Sequence, residues 1–196
     1  LLQKSQMAKW DRVKIKLSST NLSLSGKIND KNPLSGLKGT IPITGLLYLT
    51  TTEEEKFGAT FLSLLVEKIP NISSISKAVN FIVVHYSNIP TSLNGILQIK
   101  DGLIFSDEIL IKNNSGKSTF NGFYNFIKNE IDGTIHFFEK NDVVVIAQLK
   151  GKIDNPEILV GGKIFSENEE QPLQDIKKLF DEGINSLVDK LLNIDE

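Results

Sequence analysis

The residue types with the most chemical potential in this chain are easily found, and their spacing argues against catalysis. Ser115-Gly116-Lys117-Ser118 ends as a phosphate-binding loop ends, with a lysine for phosphate and a hydroxyl for a metal ion. Such a loop needs a further glycine where Ile111 stands, and a helix behind it whose amides face the phosphate. Thr119 to Phe126 alternates like a strand instead, so the string reads as a hairpin turn. His85 and His136 are the only histidines, and neither has a second histidine at a helical ligand spacing. His136 falls on the polar side of its strand with Asp132 and Thr134, as a solvated residue does. Asp101 lies in a turn, and Asp107 and Glu108 are adjacent on a strand, so no carboxylate pair shares a site. Gly161-Gly162 completes no nucleotide fingerprint, and no nucleophile elbow, zinc helix or calcium loop is present. With zero cysteines, a disulfide scaffold, a thiolate zinc site and a thiol nucleophile are excluded as well. The expectation is a non-enzyme without cofactor or metal.

The elements that would position any site are mostly strands. Of 196 residues 40% are apolar and 23% charged, enough to bury a core, and the net charge of -2 advertises no surface for nucleic acid. Val13, Ile15 and Leu17 alternate with Lys14 and Lys16, and Leu22, Leu24, Gly26 and Ile28 repeat the pattern. A longer run follows from Leu37 to Leu49, with Pro42 placing part of it at an edge or bulge. After Pro90 the pattern returns in direct succession. Leu97 and Ile99 lead through Asp101-Gly102 to Leu103, Phe105, Ile109 and Ile111 on one face, an Asp-Gly hairpin signal. Phe120, Gly122, Tyr124 and Phe126 come next, then Ile131, Gly133, Ile135 and Phe137, then Val143, Val145, Ala147, Leu149 and Ile153. Strands so closely connected form an antiparallel meander, because parallel pairing needs crossover helices that do not fit here.

Two regions change period. Phe57, Phe61, Leu64, Leu65 and Lys68 recur at helical spacing until Pro70 stops them, and Ile75 to Val84 fits either a short helix ending near His85, the favoured reading, or a buried strand. An acidic linker, Glu167 to Glu170, precedes Pro172 and an apolar stripe of Leu173, Ile176, Phe180, Ile184, Leu187 and Leu191, an amphipathic helix. From Ser166 onward the chain holds nine acids and three bases, which makes that helix a poor partner for anionic lipid. The expected organisation is a β segment over 1–52 continuous with the sheet, a helical insertion over 53–89, a meander over 90–165, and a linker with helix over 166–196. A weak repeat links Leu24-Ser25-Gly26-Lys27-Ile28, Leu37-Lys38-Gly39-Thr40-Ile41 and Leu149-Lys150-Gly151-Lys152-Ile153, suggesting a sheet extended by repetition. The chain opens Leu1-Leu2-Gln3 and reads as the C-terminal piece of a longer polypeptide, and no run approaches the roughly 18 to 20 apolar residues of a spanning helix.

The order of motifs after Pro90 resembles the C-terminal region of AsmA-like bacterial envelope proteins, the group that includes TamB. It is carried by Leu93-Asn94-Gly95-Ile96-Leu97-Gln98-Ile99-Lys100-Asp101-Gly102-Leu103, then Phe120-Asn121-Gly122, Ile131-Asp132-Gly133-Thr134-Ile135 and Leu149-Lys150-Gly151-Lys152-Ile153-Asp154-Asn155-Pro156. The resemblance implies a mostly β fold with some helix: an antiparallel meander forming a curved, open, groove-like sheet, with an inserted helix pair and a C-terminal amphipathic helix. It implies a periplasmic location, tethered to the inner membrane through a missing N-terminal segment, and phospholipid carried along an apolar face toward the outer membrane. Nucleic acid is not an expected partner; a membrane surface or an outer-membrane protein is. The groove walls it points to are Leu97, Ile99, Phe105 and Ile109, then Phe120, Tyr124 and Phe126, then Ile135 and Phe137, and last Val143, Val145 and Leu149. The competing expectation is a scaffold or assembly module for outer-membrane protein biogenesis, whose apolar face packs against protein; a hydrolase with an unrecognised site is more distant.

Overall fold

The computed structural model describes residues 13–19, 21–27, 35–51, 70–154, 156–165 and 174–175. In chain order these form β1 (Val13–Ser19), β2 (Ser23–Gly26), β3 (Leu37–Leu49), α1 (Pro70–Tyr86), β4 (Thr91–Lys100), β5 (Leu103–Lys112), β6 (Lys117–Asn125), β7 (Glu130–Glu139), β8 (Asp142–Lys152) and β9 (Glu157–Gly161). A 3-10 turn at Lys163–Phe165 and the short β10 (Gln174–Asp175) complete the described chain. All the strands belong to one antiparallel sheet, ordered as they follow in sequence from β3 to β10. The edge strands β1 and β10 do not pair with each other, so the sheet is open.

Local chemistry explains the connections. Asp101 and Gly102 both take positive φ, 50° and 82°, as a two-residue hairpin of right-handed strands requires. Asn129 and Lys140 supply the left-handed residues of the β6–β7 and β7–β8 turns, at 56° and 57°. β1 and β2 are one edge strand broken in the middle. Between the pairs Ser19–Ile43 and Ser23–Thr40 the edge carries one residue more than β3, and Asn21 absorbs the excess at φ 61°. The break lies opposite Pro42, which has no N–H to donate, so the proline expected at an edge or bulge sits against one.

The helix differs from its sequence expectation. Pro70, expected to stop a helix, instead opens α1, as suits a residue whose missing N–H is no loss in the first turn. α1 also runs past Val84 to Tyr86. The expected helix over Glu54 to Lys68 and the expected C-terminal helix lie outside the described residues, except that Gln174–Asp175 pairs as a strand with Leu159 and Val160. Ile153 lies in a turn beyond the end of β8, and β9 adds a strand to the expected meander.

Candidate apolar face

Register decides which side chains share a face, because directly paired residues of antiparallel strands point the same way. One row crosses the sheet as Ile43, Gly95, Ile109, Phe120, Ile135, Ala147 and Val160. The row above it runs Leu17, Gly45, Leu93, Ile111, Ser118, Phe137 and Val145. Below lie Leu24, Gly39, Ile99, Ile104, Tyr124, Ile131 and Gly151. Between those rows Ser106, Gly122, Gly133, Leu149 and Ile158 align. The result is a largely apolar surface, while the opposite face mixes Lys38, Thr40, Gln98, Asn121, Asp132 and Lys150 with the exposed Leu46, Ile96 and Phe123.

Two glycines let this surface lie flat at its centre. Gly122 and Gly133 face each other, and the Phe120 ring lies over Gly133, where an added Cβ would meet Cε2 at 2.5 Å. Gly122 also holds φ 153°, and a methyl there would strike the Gly133 backbone.

α1 covers part of the face. Ala78 and Tyr86, with Phe81 and Ile82 beside them, pack on Phe137, Val145, Ala147 and Val160, and Val145 is wholly buried. Tyr86 meets Phe137 edge to face, ring centroids 5.6 Å apart. The last turn of α1 is pinned by polar contacts: Asn113 Nδ2 donates to the His85 carbonyl at 3.0 Å, and Asn88 Nδ2 to the Thr51 carbonyl at 2.8 Å. Burial raises the pKa of the Tyr86 phenol, an effect that the nearby Ser118 hydroxyl partly offsets, yet the Tyr86 oxygen has no hydrogen-bond partner in good geometry among the described residues. A second cluster of Ile43, Leu93 and Ile109, with Ile41, Leu97 and Phe120 against it, joins the first through Ile111. Beyond these clusters the face opens: Ile15 is 53% exposed, Leu17 52%, Leu24 43% and Ile158 43%.

Of the expected wall residues, Leu97, Ile99, Ile109, Phe120, Tyr124, Ile135, Phe137, Val145 and Leu149 share this face, and Phe126 follows in the turn after β6. Phe105 and Val143 do not. In β5 an extra residue at Asp107–Glu108 reverses the alternation, so Phe105 pairs with Gln98 and Phe123 on the opposite face. Leu103 follows Phe105 there. In β8 an extra residue at Val144 has the same effect, and Val143 pairs with Phe138 beside Lys117, whose ammonium lies 4.9 Å from the Phe138 ring centre. Ile104 and Leu93 were missed. The hairpin at Asp101-Gly102 was the usable signal for Ile104, because a two-residue turn sets Lys100 against Leu103 and therefore Ile99 against Ile104.

The chemically tempting groups are committed elsewhere. Asn113 Oδ1 accepts the amides of Ser115 and Gly116 at 2.7 Å each, so the loop's own side chain occupies the amides a phosphate would need. Ser118 is buried beneath α1. His85 Nδ1 bonds the Phe81 carbonyl oxygen at 2.8 Å with the two rings stacked, and His136 lies on the polar face between Thr119 and Ile146. Among the described residues no three metal-ligating side chains gather, and no helix is long and apolar enough to cross a membrane. On the polar face a shallow hollow of 440 Å³ forms at the β5 bulge, lined by Leu103, Phe105, Asp107, Asn121 and Phe123.

Compared with known protein families, with curated proteins and with solved structures, the chain matches none.

Proposed function

We propose that this chain is a lipid-binding module of the AsmA-like type, tethered in the periplasm by an upstream segment and carrying phospholipid between the inner and outer membranes. One observation carries the reading: largely apolar rows cross the sheet from strand to strand and remain exposed at Ile15, Leu17, Leu24 and Ile158, outside the cover of α1. Acyl chains laid on such a face are shielded from water while head groups stay wet, which lowers the cost of desorption by about 0.8 kcal/mol per shielded methylene. No bond is made or broken. The order of motifs that resembles AsmA-like C-terminal regions supports the same conclusion. Extraction of the purified chain tests it: phospholipid recovered in stoichiometric amount is the expected result, and a lipid-free protein refutes it.

A second reading, a scaffold module for outer-membrane protein assembly, is favoured by the close packing of α1 over Phe137 and Val145. It predicts a lipid-free chain that captures a folded protein partner through the remaining open strands.

A further inference from the structure

The sheet ends at β1 in an edge whose two sides differ in kind. Among the described residues no strand pairs with its outer side, so a row of backbone N–H and C=O groups faces outward there. Ile15 and Leu17 stand on the apolar side, 53% and 52% exposed, while Lys14 and Lys16 stand exposed on the other. The two lysines stem from positions about 7 Å apart along the strand, and neither has an ion-pair partner among the described residues. The left-handed Asn21 breaks the edge after Ser19, which limits an uninterrupted pairing to the 7 residues of β1. Lysines at an edge also guard against a second copy. Any two-fold pairing of β1 with itself that keeps the apolar rows together sets lysine against lysine. A strand with acids at every second position meets no such repulsion.

We propose that β1 is a docking edge for an extended segment of a partner protein in which apolar and acidic side chains alternate, matching the 7 residues of β1 in length. The segment's backbone adds a strand to the sheet, its apolar residues continue the row of Ile15 and Leu17, and its carboxylates lie opposite Lys14 and Lys16. Main-chain hydrogen bonds supply the pairing, and the two faces of the added strand supply the specificity. Lysines and apolar residues on opposite sides of β1 thus read the same partner. The added strand widens the apolar face without covering it, so the proposal stands apart from the lipid-binding reading.

The test titrates the full chain with three synthetic peptides as long as β1: one alternating valine and glutamate, one with lysine in place of each glutamate, and a fully N-methylated form of the first. Calorimetry reads the affinity and amide hydrogen exchange reads the place. The glutamate peptide is expected to slow exchange within β1 and to bind about tenfold more tightly than the lysine peptide. The N-methylated form is expected not to bind, because it cannot donate to the edge. In the Lys14→Glu, Lys16→Glu double variant, whose altered side chains are exposed, the lysine peptide is expected to be preferred by a similar factor. The contrast between peptides on the parent chain needs no variant, so the outcome does not depend on how the variant folds. Equal affinity for the glutamate and lysine peptides, or binding of the N-methylated form, overturns the proposal. Protection of β1 that grows with protein concentration and without peptide makes the occupant a second copy and overturns it too. Binding of no peptide overturns it while leaving the lipid-binding reading, which rests on extraction, standing.

Discussion

Replacing Phe137 and Phe105 by alanine, one at a time, tests the assignment of faces, because simple alternation makes the two residues equivalent and the bulges make them different. Phe137 is 7% exposed, edge to face with Tyr86 and packed beside Val145 beneath α1. Truncating a phenylalanine so enclosed removes its transfer free energy and leaves a cavity, about 3 to 5 kcal/mol together. Phe105 is half-buried on the polar face, where its cross-strand contact with Phe123 contributes about 1 kcal/mol. For a chain of this size each kcal/mol moves Tm by about 2 to 4 °C. Phe137→Ala is therefore expected to melt roughly 6 to 20 °C below the parent, and Phe105→Ala roughly 2 to 4 °C below it. Thermal and urea unfolding followed by far-ultraviolet circular dichroism measures both, and an unchanged urea slope shows that the loss belongs to the native state. Equal losses, or a greater loss for Phe105→Ala, refute the placement of the β5 bulge and of α1.

Other perturbations read separate parts of the structure. Gly122→Ala forces a side chain into the Gly133 backbone at a φ of 153°, and is expected to lower the urea-derived stability by about 1 to 3 kcal/mol or more; a neutral result contradicts the close approach of β6 and β7. Asn113→Ala removes the bonds to the His85 carbonyl, the Thr91 hydroxyl and the turn amides, an expected loss of about 1 to 3 kcal/mol with faster hydrogen exchange at Ser115 and Gly116. Tyr86→Phe deletes a buried hydroxyl without a good partner and is expected to be neutral or slightly stabilising at pH 7. The same residue gives a pH signature. Its pKa is raised in the fold above the ordinary 10.0, so its contribution is intact below pH 10 and is lost as pH rises beyond. Parent protein should therefore lose urea stability above pH 10 more steeply than Tyr86→Phe, and identical alkaline slopes contradict the burial of the phenol.

The sequence made the strands legible because alternation with one wet face is a direct consequence of the pleat, and Asp101-Gly102 announced its hairpin through residues that tolerate positive φ. The faces were less legible. Val143, Val144, Val145, Ile146 and Ala147 are all apolar, so their run has no polar member to mark a parity, and an inserted residue passes unseen. In β5, Ile104 and Phe105 are both apolar ahead of the charged pair Asp107–Glu108, and the bulge there looks like ordinary polar exposure. α1 was partly legible. Its isoleucines and valines favour strands and its apolar residues spread around the helix, which blurs the period, while Pro70 signals a stop and a start equally well. Ile15, Leu17 and Leu24 were visible as a strand face, but their importance lies in standing at an edge, and edge position comes from topology.

The claim on which the account depends is that this face, and not its reverse, receives acyl chains. Methyl-labelled protein mixed with phospholipid carrying a spin label on its acyl chain reports that contact directly. The account predicts strong broadening of the Leu17, Leu24, Leu97 and Ile99 methyls while Leu110 and Ile146, on the opposite face, stay sharp. Equal broadening on both faces, or none on either, contradicts it.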